Sequence, residues 1–161
     1  MEALIEKWYR HGKSVNEWYK KLLADPGLTK DDRVIAWFAE YKSIDLMPYH
    51  YFHDCGKPFC YTVDEDGKEH YPNHSQVSYT KYIEMFGETD YANMILHDMD
   101  FHKFRREELV EVWKLPYGDH LYATAWAELF ANQEAFGGVE SDSFKIKRKR
   151  LLAALKYRFT I

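Results

Sequence analysis

Phe52-His53-Asp54-Cys55-Gly56-Lys57-Pro58 sets an imidazole and a carboxylate on consecutive residues, just ahead of a glycine and a proline. That order predicts where a helix stops. Pro48 lacks the backbone donor that a first helical turn leaves unused, so a short helix is expected to begin there. It is expected to end at Gly56, a residue able to leave a helix with positive φ. His53 and Asp54 then fall in its last turn. An imidazole nitrogen beside a carboxylate oxygen suits a borderline or hard divalent cation.

Working outward, helical periodicity fills most of the chain. Residues 3–24 read as a helix in which Val15, Trp18, Tyr19 and Leu22 share a face. Ser14 and Glu17 have capping-box spacing for a restart within it, and Asp25-Pro26-Gly27 ends it. A second helix is expected from Thr29 or Lys30 through Val34, Ile35, Phe38 and Tyr41. Beyond the opening motif, residues 59–63 and 68–71 flank Asp66-Gly67, a pair suited to a tight hairpin turn. Further helices are predicted at 74–86 with Asn73 as cap, 90–98, 105–114, 119–136 capped by Asp119 and stopped by Gly137-Gly138, and 144–158. The expected fold is all-α, one domain over residues 1–161, with one short β-hairpin.

Composition supports a rigid fold and narrows the function classes. Hydrophobic residues make up 46% and aromatic residues 17% of the 161, which fits a packed domain rather than a disordered tail. A net charge of −4 gives no general signal for polyanion binding, and the basic run 145–150 reads as a solvated helix face. Cys55 and Cys60 are too few for a disulfide scaffold. No apolar N-terminal segment has the length of a signal peptide or membrane span, so a cytoplasmic protein without membrane association is expected.

Four segments offer metal ligands: His11, the His53-Asp54 pair, His74, and His97 with Asp98. Their spacings are too long for a zinc finger, and only packed helices can bring them together. In this order the residues resemble the HD superfamily of metal-dependent phosphohydrolases, whose pattern is a His, a His-Asp pair, often two further His, and a final Asp. The segment from His53 to His74, with Gly56-Lys57-Pro58, the hairpin at residues 62–67 and Asn73-His74, is similar to the HD domain of bacterial tRNA nucleotidyltransferases.

The resemblance implies a single HD-type helical domain and a metal set of His11, His53, Asp54, His74, His97 and Asp98, where Asp98 stands in place of a second His. The final Asp has no counterpart, and either Glu128 or Asn132 is expected to complete the set. His50, one turn before Asp54, competes with His11. The cofactor implied is one or two divalent ions (Mn, Fe, Ni, Co, Mg or Zn) that activate a water for attack on phosphorus. Asp54 and Lys57 are the expected catalytic pair, and Lys57, Lys103, Arg105 and Arg106 are the cations available to the substrate phosphate. His70, His102 and His120 are expected to be ordinary polar residues. The substrate class implied is a nucleotide or nucleotide-like phosphoester, an RNA end included. The alternative is an HD-fold nucleotide-binding or scaffold module that has lost turnover.

Overall fold

The computed structural model describes residues 1–159, and it is all-α with one two-stranded hairpin. The chain forms two compact units, one of residues 1–14 and 46–98, the other of residues 15–45 and 99–159. Helix α1, Glu2–Ala24, contributes to both. It runs through Gly12 and Ser14 without a restart, so the capping-box spacing there goes unused.

In the first unit, α3 (Met47–Phe52) is one turn shorter than predicted. A turn over residues 53–56 follows, then the short helix α4 (Lys57–Cys60), which takes the place of the first predicted strand residues. The Lys57 N–H donates to the Asp54 carbonyl and the Phe59 N–H to the Gly56 carbonyl, both turn bonds that an extended strand cannot make. Strand pairing is left to β1 (Thr62–Val63) and β2 (Glu69–His70), antiparallel with Thr62 opposite His70. Asp64 braces the hairpin, its Oδ1 accepting the Asp66 and Lys68 N–H groups at 2.9 Å and its Oδ2 lying 2.8 Å from His70 Nε2.

Helices α5 (His74–Phe86) and α6 (Asp90–Leu96) pack on each other, and α6 also packs on α3. Asn73 precedes α5 in the left-handed region and makes no side-chain cap bond, contrary to its expected role. Thr89 caps α6 by accepting from the Ala92 N–H.

In the second unit, residues Pro26–Thr29 form a 3-10 turn, and α2 starts later than predicted, at Asp32 (Asp32–Glu40). Asp31 sets that start because its Oδ1 accepts the N–H groups of Arg33 and Val34 at 2.9 and 3.2 Å. A four-residue helix that the pattern did not reveal, α7 (Asp100–Lys103), precedes α8 (Glu107–Lys114). Helix α9 (Gly118–Ala131) ends well before Gly137-Gly138, and Asp119 faces Arg158 at 3.4 Å instead of capping. Ser141 caps α10 (Asp142–Ala154), and a 3-10 turn, Leu155–Phe159, follows it.

The core of this unit is aromatic. Trp37, Phe101, Trp113 and Tyr122 meet edge to face or tilted, with ring centroids 4.7–6.2 Å apart. Their polar atoms reach backbone carbonyls: Trp113 Nε1 donates to Ala154 and Tyr122 Oη to Leu151, at 2.9 and 2.8 Å. Arg148, in the basic run, donates to the Thr29 and Lys30 carbonyls, so this guanidinium is structural. Among the described residues no helix is long and apolar enough to cross a membrane.

Candidate metal site

The site grows from the turn after α3. The His50 carbonyl can only accept, so His53 Nδ1, 2.7 Å away, carries the proton and donates to it. This leaves His53 Nε2 as the ring's ligand atom, 3.2 Å from Asp54 Oδ2. Both residues are buried. The positive φ predicted at Gly56 is not found; its φ is −83°, ordinary for any residue. Glycine is required there by proximity instead, because a Cβ would stand 2.3 Å from the Ser78 nitrogen. The Gly56 N–H donates to Ser78 Oγ at 2.9 Å, tying the turn to α5.

Gly12 acts in the same way on the other side. A Cβ on it would lie 2.4 Å from the His50 carbonyl oxygen, so only glycine lets α1 approach the end of α3 so closely. That approach brings His11 Nε2 to 3.8 Å from Asp54 Oδ2. One ligand atom each from His11, His53 and Asp54 fall within 4.8 Å of one another. With metal–ligand bonds of about 2.1 Å, neighbouring ligand atoms are separated by about 3.0–3.4 Å. The His53–Asp54 pair meets this at 3.2 Å and His11 stands slightly outside it at 3.8 Å, so the group could hold a metal ion if His11 closes in.

A fourth group completes the arrangement. Lys57 Nζ lies 3.2 Å from the same Asp54 Oδ2, 3.8 Å over the Trp8 ring and 5.3 Å from the Tyr71 ring. Trp8 and Tyr71 meet edge to face at 5.2 Å, and Trp8 also meets His11 edge-on at 5.7 Å. The ammonium is thus held between a carboxylate and two aromatic rings. Cys55 donates to the Ser78 carbonyl, and burial, reinforced by the Asp54 charge, pushes its thiol up to about 12. It stays protonated at neutral pH.

The remaining predicted residues are placed as follows. His74 is the first residue of α5, half-buried, its Nδ1 3.3 Å from the Tyr71 carbonyl. His97 ends α6 and is half-buried; Asp98 is buried and accepts from the Tyr49 hydroxyl. Among the described residues neither His74 nor His97 joins the ligand atoms clustered within 4.8 Å. In the second unit, Lys103 is exposed with its ammonium 4.9 Å over the Phe104 ring, and Arg106 is exposed with φ 53°. Glu128 is buried on α9, its Oε2 3.4 Å from His102 Nε2. Asn132 is the C-terminal cap of α9, and its amide donates to the Glu128 carbonyl at 3.0 Å.

Sequence reasoning missed Trp8, Tyr71, Ser78 and the orienting carbonyl of His50. Trp8 had a signal, since it precedes His11 by three residues and shares its helix face. Tyr71 and Ser78 had none, because the turn and helix packing that bring them in are not local. Comparisons with protein-family models, with curated proteins and with solved structures found no match for this chain.

Proposed function

We propose that the chain is a metal-dependent phosphohydrolase acting on a nucleotide or nucleotide-like phosphoester, with His11, His53 and Asp54 holding a divalent ion. The observation that supports this is the convergence of two imidazoles and an ammonium on the Asp54 carboxylate, at Oδ2. The resemblance of these residues, in this order, to the HD superfamily points the same way. His11, His53 and Asp54 would hold a divalent ion of the Mn, Fe, Co, Ni, Mg or Zn group, whose chemistry would be phosphoryl polarisation and acidification of a water.

The chain's own residues do the rest. The His50 carbonyl fixes the His53 tautomer, a hydrogen bond that also makes the other nitrogen a better donor to metal. Asp54 contributes the hard ligand and neutralises charge. Lys57, held by Trp8 and Tyr71, offers a cation to the substrate phosphate.

The Lys57–Asp54 ion pair favours a second reading, a nucleotide-binding module without turnover, because an ammonium 3.2 Å away neutralises the carboxylate with no metal. Elemental analysis of purified protein, joined to assays of phosphomonoesters, phosphodiesters, mononucleotides, cyclic nucleotides and dinucleoside polyphosphates with added Mn, Co, Ni, Fe or Mg, separates the two. Bound metal with phosphate release is the expected result. Nucleotide binding without metal or turnover would establish the module instead.

A further inference from the structure

The first unit carries an apolar groove of about 320 Å³, at the lower end of small-molecule sites. Five rings line it: Trp8, Tyr9, Tyr51, Phe52 and Phe59. Tyr9, Phe59 and Met85 remain 44%, 50% and 53% exposed, a large apolar surface left facing solvent. The charged side chains at its wall, Lys81 and Glu84, pair with each other at 3.5 Å, and Lys81 also lies 4.3 Å over the Phe59 ring. The lining therefore presents rings and no net charge.

The groove adjoins the candidate metal site. Cys55 and Pro58, which line it, are the chain neighbours of Asp54 and Lys57. Trp8 belongs to both, lining the groove while its face carries the Lys57 ammonium at 3.8 Å. A phosphate at Lys57 and a group in the groove are separated by one indole. Uncharged flat groups gain most from such a lining, through stacked and edge-on contacts.

We propose that this groove is the subsite for a planar aromatic ring carried by the phosphoester, a proposal that rests on the hydrolase reading and narrows its substrate class. A nucleobase and a simple aryl group share this chemistry. The test is calorimetric titration of the full chain, with and without Mn, using 2-naphthyl phosphate, adenosine monophosphate, ribose 5-phosphate, inorganic phosphate and the uncharged 2-naphthol. Ring-bearing phosphates are expected to bind at least about tenfold more tightly than ringless ones. Preference between the naphthyl and adenosine ligands identifies the source of the ring.

Ile5→Trp, which fills the groove from an exposed position, and Met85→Gln, which makes its wall polar, are each expected to cut the ring-dependent gain to within about twofold. Equal affinity for ring-bearing and ringless ligands, or a gain that survives both variants with native circular dichroism, would overturn the proposal. The naphthol titration needs neither metal nor turnover, so it separates the two readings. Naphthol binding without phosphate release from any ester sinks the hydrolase reading and spares the groove, whereas turnover without naphthol binding sinks the groove alone.

Discussion

Asp54 Oδ2 faces three nitrogen atoms, from His11, His53 and Lys57, between 3.2 and 3.8 Å away. Removing the carboxylate in Asp54→Ala is expected to abolish metal uptake and phosphate release while leaving the helical circular dichroism close to native. A collapsed spectrum would make Asp54 a structural residue. Lys57→Ala should mainly weaken phosphate binding or kcat, and Trp8→Leu should reproduce part of that loss by removing a cation–π contact of about 0.5–2 kcal/mol from the ammonium. Equal kinetics for wild type and Trp8→Leu would dismiss the indole as a positioning residue. At this scale the His-Asp pair was legible because both residue types carry their chemistry with them. Gly56 was legible only as a glycine: the reason for it, a neighbour at Ser78, depends on packing that no local pattern encodes.

Element boundaries followed side-chain caps more closely than hydrophobic periodicity did. Periodicity located α1, α2, α5, α6, α8, α9 and α10, but Asp31 rather than Thr29 or Lys30 fixed the start of α2, and α9 stopped at Ala131. The hairpin turn at Asp66-Gly67 was readable from its type, whereas α4 was hidden inside a β-like run that contains Phe59 and Tyr61. Asp31→Ala is expected to lower stability by about 1 kcal/mol in urea unfolding at neutral pH. Burial raises the Asp31 carboxyl, but hydrogen bonds from the Arg33 side chain and the Val34 and Arg33 N–H groups outweigh it and hold the group below its ordinary value. The stabilisation is therefore present above the unfolded-state value of about 4 and is lost as pH falls through the folded value. The gap between wild type and variant should close in acid; a gap constant down to about pH 2 would refute the charged cap. Gly12→Ala forces α1 off α3, because its Cβ would lie 2.4 Å from the His50 carbonyl oxygen. An expected loss of about 1–3 kcal/mol, with weakened metal uptake, is checked by urea unfolding and metal titration.

For the molecule as a whole, the predicted all-α class with one hairpin is the observed one, because long amphipathic segments leave few alternatives. The division of the chain between two units was not legible, since residues 15–45 show no change of composition that marks them off. Proton order in the second unit is fixed by one carbonyl. Tyr19 donates to Ile44 at 3.0 Å, so Tyr41 donates to Tyr19 at 2.9 Å and His120 Nδ1–H to Tyr41 at 2.6 Å. Burial holds His120 below its ordinary value, opposed by the charge of Asp119. The unfolded chain thus takes up the proton first, and this contribution, complete above the unfolded value of about 6.5, is lost as pH falls through the folded value. Thermal unfolding between about pH 7 and about pH 5 should fall more steeply for wild type than for His120→Phe. Parallel curves would remove His120 from the account.

Neither unit is one continuous stretch, because residues 1–14 join 46–98 and residues 15–45 join 99–159. No single cut in the gene therefore releases either half intact. A fragment of residues 46–98 keeps His53, Asp54 and Lys57 yet lacks Trp8 and His11, so the residues that could hold an ion come together only when residues 1–14 are supplied with it.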